Sequence, residues 1–180
     1  MMKMLKKLIQ KCSNQKKENE TGMEQKITKK SYADNLQKRI VEKIGLKNTY
    51  YGSKASPDKN ETRSFQWRDN KWNAAKETDM SIPHGAGSIV STTGDLVKFI
   101  HALFGFQLIS KVSLDEMTIL RNEFGLGIFT FPFDNKTAYG HTGGINEFVS
   151  QLGYFPEDSF SIALTHNGSR YPMNDFLIGA

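Results

Sequence analysis

The sequence has little that could crosslink the chain or carry it across a membrane. It contains a single cysteine, Cys12, so no disulfide can form within the chain. It has no run close to the ~20 consecutive apolar residues that a transmembrane helix requires. Hydrophobic residues make up 38% of the 180 residues. This is enough for one domain with a core, and it leaves a sizeable solvated portion.

Positive charge is concentrated in the N-terminal quarter. Residues 1–48 carry 13 Lys or Arg against five Asp or Glu, whereas the remaining residues carry 11 against 14. A basic block can contact nucleic acid or an anionic membrane, but this one has no aromatic interleaving and no recognisable nucleic-acid motif. We therefore interpret it as solvated surface charge and expect no nucleic-acid partner.

Residues 1–24 are rich in Lys, Gln, Glu and Asn and predict a disordered basic tail. The stretch MKMLKKLIQKCSNQKKENE has the basic start of a secretion signal, and Cys12 is followed by polar residues. It resembles a bacterial lipoprotein leader that lacks its apolar middle, because Gln10 and Lys11 stand directly before the cysteine. We expect such a defective leader to export poorly.

Two segments carry the spacing and the end signals of helices. The first begins after Ser31 as N-cap and stops at Gly45. The second begins after Thr92, where Asp95 completes a capping-box pattern, and a third short helix is predicted after Ser113. Their apolar stripes consist of residues three or four positions apart: Tyr32, Leu36, Ile40 and Ile44 in the first, and Leu96, Ile100 and Leu103 in the second.

The rest of the chain lacks helical periodicity. Residues 52–83, which include Phe65, Trp67 and Trp72, predict a long irregular excursion with short strands. Four strands joined by short turns are predicted after it: residues 124–131, 137–143, 148–155 and 160–167. Consecutive strands with short connections pair antiparallel. The sequence therefore predicts an α+β fold, an antiparallel sheet with flanking helices, in which residues 25–180 form one domain.

One of these strands runs into His141, Thr142, Gly143 and Gly144. Glycine leaves no side chain to hold a substrate away, so backbone N–H groups at such a strand edge could donate to a developing oxyanion. The Thr142 hydroxyl and the His141 ring could hold a substrate carboxylate beside it. A plain strand pair with a glycine turn is the alternative for these four residues taken alone.

Three stretches, in order, resemble the C-terminal half of the serine β-lactamase and penicillin-binding-protein superfamily: SYADNLQKRIVEKIGLKNTYY, HGAGSIVSTTGDLVKFIHALF and YGHTGGINEFVSQLGYFPEDSFSIALTHN. The resemblance covers residues 25–180 and is to the class C β-lactamase, D-alanyl-D-alanine carboxypeptidase and esterase branch. It implies an incomplete β-lactamase/transpeptidase-like fold, and acyl transfer on β-lactams, D-alanine peptides or esters. His141, Thr142 and Gly143 match the K-T-G or H-T-G motif of that family, and Gly144 would supply the oxyanion N–H. The resemblance thus makes these four residues the catalytic candidates.

The nucleophile motifs of that family are poorly matched. In the family, the serine of S-x-x-K attacks a carbonyl, while its lysine and the tyrosine of Y-x-N handle the proton. S-x-x-K occurs at Ser13 to Lys16, in the polar tail, and at Ser56 to Lys59, after the family-like helix. Y-x-N occurs nowhere in the sequence. The sequence therefore predicts a leader-like tail joined to the second half of a serine hydrolase, with no credible nucleophile.

Three functional interpretations remain open. The chain could be a truncated serine hydrolase that is inactive alone, a non-enzymatic module that binds a carboxylate such as a cell-wall peptide end, or half of a split enzyme completed by a chain with the nucleophile. Histidine at 141 carries only partial charge near neutral pH, which favours esterase or peptidase ancestry over efficient β-lactamase activity. The family usually works in the bacterial cell envelope or periplasm, and the defective leader keeps a cytoplasmic location open.

No cofactor and no metal are expected. His84, His101 and His166 lack the short spacing of metal ligands. The terminal DFLIGA is expected to begin a helix that ends early. We expect this to leave apolar sheet residues partly uncovered: Phe148, Phe155 and Leu164.

Overall fold

The structure is a computed structural model that describes residues 20–52, 56–79, 82–83, 85, 87–133, 135–168 and 170. Several predictions concern residues outside this set: the tail up to residue 19 with Cys12, Ser13 and Lys16, the histidine His84, and the terminal DFLIGA.

The N-terminal part of the described chain is helical. Its elements are α1 (Glu20–Thr28), α2 (Tyr32–Leu36), a π-helical turn (Gln37–Val41) and α3 (Glu42–Ile44). Because α1 begins at Glu20, the last five residues of the predicted disordered tail are helical instead.

The predicted ends of the first apolar helix are confirmed. Ser31 is the N-cap, and its hydroxyl accepts a hydrogen bond from the Asp34 N–H at 3.1 Å. Gly45 closes the helix in the left-handed conformation at φ 64°, which glycine adopts without a steric penalty. The π-helical turn in the middle was not predicted, since it leaves no mark on the spacing of the apolar stripe.

Two further helices follow the excursion: α4 (Thr93–Phe104) and α5 (Lys111–Met117). Thr92 caps α4 as predicted, since its hydroxyl accepts from the Asp95 N–H. The predicted start of α5 is wrong. Its N-cap is Ser110, whose hydroxyl accepts from the Ser113 N–H at 3.2 Å, so Ser113 already lies inside the first turn.

The predicted excursion with short strands is confirmed for its described residues. After β1 (Tyr50–Tyr51), it contains a 3₁₀ turn (Pro57–Lys59), β2 (Phe65–Arg68) and β3 (Lys71–Ala74), and β4 (Ile89–Val90) follows it. Strands β1 and β4 pair antiparallel, and β2 and β3 form a separate antiparallel hairpin.

The main sheet is an antiparallel meander. Its strands are β5 (Phe129–Phe133), β6 (Lys136–Ile145), β7 (Phe148–Phe155) and β8 (Phe160–His166), in the spatial order β5-β6-β7-β8. With the helices, this confirms the predicted α+β class. The first predicted strand began too early, at 124: apart from isolated bridges at Phe124, pairing starts at Phe129, because Gly127 has a positive φ of 69° and turns the chain within the predicted strand.

Helix α4 packs on β7 and β8 and builds the core between helices and sheet. The predicted stripe is confirmed: Leu96, Ile100 and Leu103 are at most 3% exposed, and they pack in one cluster with Leu152 of β7. Each buried aliphatic side chain contributes about 1.5–3 kcal/mol relative to exposure. This packing fixes the position of β7, and through its ladder the position of β6.

The expectation of uncovered sheet residues is wrong at two positions. Phe148 and Phe155 are buried, at 4% and 3% exposed. Phe155 lies against the rings of Phe133 and Phe160, so aromatic neighbours within the sheet cover it. Leu164 is half-buried, as expected.

Candidate functional site

The candidate residues lie where β6 extends past its neighbour β5. The register pairs Phe129 at the start of β5 with Gly140, so β5 covers residues 136–140 of β6. Residues 141–145 pair with β7, from His141 opposite Leu152 to Ile145 opposite Phe148. Within the described part of the chain, no strand pairs with their other side. This half of β6 therefore forms a border of the sheet.

Space beside the glycines differs along β6. A Cβ built on Gly144 would have the Phe148 carbonyl oxygen, at 3.9 Å, as its nearest neighbour, so the backbone here is open. A Cβ built on Gly140 would lie 1.9 Å from the Leu152 carbonyl oxygen, which forbids a side chain. Gly144 can therefore be approached closely by a ligand, as an N–H donor at a strand edge requires.

His141 and Thr142 have different surroundings. His141 is 5% exposed, and its ring packs edge-on against Phe129 with centroids 4.9 Å apart. Its Nδ1 also forms a short hydrogen bond with the Thr142 carbonyl oxygen. The Thr142 side chain is exposed, as expected for the next position of a strand, whose side chains alternate between faces. The histidine is thus held by the protein, while the threonine hydroxyl is accessible.

The turn after the glycines is hydrogen-bonded to the long excursion. Asn146 adopts a left-handed conformation, φ 52°, in the turn between β6 and β7. Its Oδ1 accepts hydrogen bonds from Thr78 N–H at 3.3 Å and Thr78 Oγ1 at 3.0 Å. A Cβ built on Gly87 would lie 3.0 Å from Ile145 Cδ1. Segments around Thr78 and Gly87 therefore frame this end of β6.

Sequence reasoning missed Thr78. It lies 68 positions before its partner Asn146, and no local pattern links two residues so far apart. Asn146 itself adopts the left-handed backbone of the β6–β7 turn, and asparagine is among the residues that adopt this region most readily.

Ser56 of the second S-x-x-K pattern belongs to a surface turn. It precedes the 3₁₀ turn, and its N–H donates to Glu61 Oε2 at 2.7 Å. The other oxygen of Glu61 accepts a short hydrogen bond from the Tyr50 hydroxyl. Burial, with a smaller contribution from Glu61, raises the pKa of Tyr50 to about 12. Tyr50 therefore stays protonated near neutral pH, and Lys59 is exposed to solvent.

Among the described residues, no group of three or more His, Cys, Asp and Glu side chains is placed to hold a metal ion. No helix in the same residues is both long and apolar enough to cross a membrane.

A meander of this kind backed by α4, with a glycine-rich border strand, defines a partial β-lactamase/transpeptidase-like domain. The family model described as Beta-lactamase matches residues 23–177. Since this is most of the sequence, the chain belongs to the β-lactamase family, within the serine β-lactamase and penicillin-binding-protein superfamily. The resemblance read from the sequence is thereby confirmed. A search of curated proteins gives no match.

Solved structures show the same fold. A D-stereospecific amidohydrolase from Streptomyces sp. is 24% identical with a TM-score of 0.75, covering 87% of this chain and 49% of that one. The D-amino acid amidase from Ochrobactrum anthropi SV3 is 27% identical with a TM-score of 0.69, covering 88% and 51%. A penicillin-binding protein from Bacillus halodurans is 12% identical with a TM-score of 0.69, covering 82% and 48%. The chain thus spans about half the length of these proteins.

Proposed function

We propose that this chain is the substrate-binding part of a β-lactamase-related serine hydrolase and that it performs no acyl transfer alone. The observation that carries the proposal is the border formed by residues 141–145, where the H-T-G-G sequence lies on a strand that β5 no longer covers. A carbonyl-containing substrate would lie along this border. The Gly144 N–H would donate to its oxygen, and the exposed Thr142 hydroxyl would contact its carboxylate.

His141 has a positioning role in this proposal. Its ring is buried against Phe129 and hydrogen-bonded to the backbone at Thr142. It therefore fixes the carbonyl of the residue whose side chain meets the substrate. Loss of the ring would disturb the border even where the ring makes no contact with the ligand.

The names of the relatives support a proposal for the substrate class. The amidase from Ochrobactrum anthropi SV3 is named for D-amino acids, and its structures include complexes with D-phenylalanine, L-phenylalanine and L-phenylalanine amide. We propose D-configured acyl substrates for this chain: amides or peptides ending in a D-amino acid. Esters and β-lactams are the other members of the same acyl class.

The expectation that the chain is inactive alone depends on Ser13 and Ser56, the serines of the two S-x-x-K patterns. Ser56 donates its N–H to Glu61 in a turn that it shares with Tyr50, and Lys59 is solvated. A lysine acting on a serine hydroxyl needs a lowered pKa from burial or a charged neighbour. Ser13 lies outside the described residues, in a basic polar segment.

A covalent trapping experiment tests the lack of activity. The full chain is incubated with a fluorescent penicillin and, separately, with an activated ester, and its intact mass is measured. We expect no acyl adduct with either reagent. An adduct that maps to Ser13 or Ser56, and that disappears in the matching Ser→Ala variant, would contradict the proposal and assign the nucleophile.

A binding experiment tests the substrate border. The chain is titrated with an acyl-D-alanyl-D-alanine peptide and with D-phenylalanine amide, and the L-enantiomers serve as ligand controls. We expect binding with a preference for the D forms, weakened roughly tenfold in Thr142→Val because one hydrogen bond is worth about 1–1.5 kcal/mol. Val112→Ala, on the exposed face of α5, is the matched control and should bind like the wild type. Equal binding of Thr142→Val and the wild type, or no discrimination between enantiomers, would refute the proposed border.

Half of a split enzyme is the second candidate. The observation that favours it is the coverage: the chain matches about half of each solved relative. A complementary chain would then carry S-x-x-K and Y-x-N. Mixing this chain with such a polypeptide should produce hydrolysis of a D-amino acid amide that neither shows alone, and that Thr142→Val reduces.

A further inference from the structure

The direction of the Gly144 N–H can be read from the neighbouring strand β5. Thr130 donates its N–H to the Glu123 carbonyl oxygen at 3.0 Å, so this N–H points away from β6. Successive N–H groups of a strand point to opposite sides, so Phe129 turns its N–H towards its partner Gly140. Gly140 therefore faces β5, and Gly144, four residues on, faces the same side beyond the end of β5. Within the described chain, no ladder hydrogen bond fixes this donor.

The β6–β7 turn determines where the Gly144 N–H lies. Two residues, Asn146 and Glu147, join Ile145 to its ladder partner Phe148. A hairpin with so short a loop takes its register from the geometry of the turn. A slip by one residue would move every side chain in this half of β6 to the other face, and it would reverse the direction of the N–H groups. A contact that fixes the turn therefore also fixes the donor.

The side chain of Asn146 makes such a contact. Its left-handed backbone, φ 52°, could be provided by glycine without steric cost. Its Oδ1, however, accepts hydrogen bonds from the N–H and the hydroxyl of Thr78. An N–H only donates, so the amide atom that faces it is the oxygen. Nδ2 then lies on the other side, where it is buried and has no hydrogen-bond partner in the described chain. An unpaired buried donor is destabilising. The contact with Thr78 therefore explains the asparagine better than the turn alone does.

Thr78 is itself held in place by the base of the β2–β3 hairpin. The N–H of Ser64, which is fully buried before β2, donates to Oε1 of Glu77 at 2.9 Å, and Glu77 directly precedes Thr78. The next residue, Phe65, donates its N–H to the carbonyl oxygen of Asn167 at 2.7 Å, just after β8. The hairpin is thus attached to the main sheet after β8 and, through Thr78, at the β6–β7 turn. Both attachments lie at the same end of the sheet.

We infer that Asn146 is a positioning residue of the proposed binding border and that Thr78 is the anchor through which it acts. Their contact holds the β6–β7 turn, and the turn holds the Gly144 N–H in the direction from which a ligand carbonyl oxygen approaches. Asn146 itself does not contact the ligand. The effect on ligand binding rests on the proposed function, whereas the effect on Gly144 is a property of the ligand-free chain.

The first measurement is the NMR signal of the Gly144 amide in the full chain without ligand. Asn146→Gly keeps the left-handed turn and removes both hydrogen bonds to Thr78. We expect its Gly144 resonance to shift and the order parameter of this amide to fall below the ~0.85 of rigid backbone. Asn70→Gly is the matched control, because Asn70 is exposed and also left-handed, φ 55°, in the turn between β2 and β3. It should leave the Gly144 signal as in the wild type. An unchanged Gly144 amide in folded Asn146→Gly would overturn the inference.

The second measurement is the affinity for D-phenylalanine amide. We expect Asn146→Gly to bind roughly fivefold more weakly than the wild type, and Thr78→Val to lose less, since it removes the hydroxyl donor and keeps the N–H. Thr78→Ser retains both donors and should keep the affinity that Thr78→Val loses. In the double variant, Thr78→Val should add no further loss to Asn146→Gly, because both substitutions remove the same contact.

These outcomes separate the inference from the proposed function. Additive losses in the double variant would overturn the inference, and so would full affinity in an Asn146→Gly chain whose Gly144 amide has shifted. Far-UV circular dichroism checks that each variant is folded, and Thr78→Val provides the same NMR test if Asn146→Gly does not fold. A wild-type chain that does not bind the ligand would refute the proposed function, and the NMR comparison would then decide the inference by itself.

Discussion

The two halves of strand β6 belong to one continuous element but have different surroundings. Residues 136–140 pair with β5, Tyr139 and Gly140 among them also pair with β7, and Ala138 in this half is fully buried. Residues 141–145 pair with β7 and form the border of the sheet. Glycine occurs in both halves, for different reasons. At Gly140 the missing side chain lets the Leu152 carbonyl oxygen approach closely, whereas at Gly144 it leaves the backbone open to solvent or a ligand. Glycine thus permits close packing at position 140 and keeps the backbone accessible at position 144.

The largest effect is expected from Gly140→Ala. The new Cβ would lie 1.9 Å from the Leu152 carbonyl oxygen, and a backbone atom in a ladder cannot move aside as a flexible side chain can. We expect a loss of more than about 3 kcal/mol in the free energy of unfolding, at or beyond the upper end of overpacking effects. Urea denaturation followed by circular dichroism measures it. A loss below about 1 kcal/mol would show that this half of β6 is not enclosed as described.

Phe129→Ala tests the point where the two halves meet. The Phe129 ring contacts the rings of Phe124, Phe131 and His141 at centroid distances of 5.7, 5.8 and 4.9 Å. Because the ring is only half-buried, we expect a loss of about 2 kcal/mol, less than for a fully buried phenylalanine. The same denaturation experiment gives the value, and the His141 ring protons should shift in the NMR spectrum. Unchanged His141 resonances would mean that the ring is held without Phe129.

Gly144→Ala tests ligand access to the Gly144 N–H separately from the stability of the fold. The nearest neighbour of the added methyl group is 3.9 Å away, so the free energy of unfolding should change by less than about 1 kcal/mol. Binding of the D-configured ligand should fall roughly tenfold, because the methyl group holds the ligand away from the backbone N–H. Gly94→Ala, where a Cβ has no neighbour within 4 Å, is the matched control and should bind normally. Full affinity in Gly144→Ala would remove Gly144 from the site.

The smallest effect is expected at the covered end of the strand, from Lys136→Ala. Lys136 Nζ lies 2.6 Å from Asp158 Oδ2, and both side chains are more than 40% exposed. An exposed pair of this kind contributes about 0.5 kcal/mol or less, and salt screens it. The difference between wild type and variant should therefore disappear in high salt. A difference that persists there would indicate that Lys136 acts through packing of its aliphatic stem.

Local signals explain which elements could be predicted from the sequence. The helix ends at Ser31 and Gly45 were predicted correctly, because a cap and a left-handed glycine act within one helical turn of their own position. The start of β5 could not be predicted, since the left-handed residue that interrupts the predicted strand is Gly127, and glycine also occurs within regular strands, as at Gly140 of β6. Ser110 and Ser113 offer the same capping chemistry three residues apart, so the sequence alone does not show which of them begins α5.

For the candidate site, even less could be predicted from the sequence than for the helices and strands. The four residues from His141 to Gly144 could be selected from their types and order. That they form a border depends on where β5 stops pairing, which is a property of the register between strands and leaves no mark in either strand's own pattern. The contact of Asn146 with Thr78 and the burial of His141 against Phe129 arise from tertiary structure alone.

The two tryptophans of the chain, Trp67 and Trp72, face each other across the β2–β3 hairpin with ring centroids 5.2 Å apart. The side chain of Arg170 covers one ring at 4.1 Å, and Gly168 lies against the other. Tryptophan emission therefore reports the docking of this hairpin at the end of β8, whereas far-UV ellipticity reports the helices and the meander. Melting curves recorded with the two signals would coincide if the hairpin and the rest of the domain unfold as one cooperative unit.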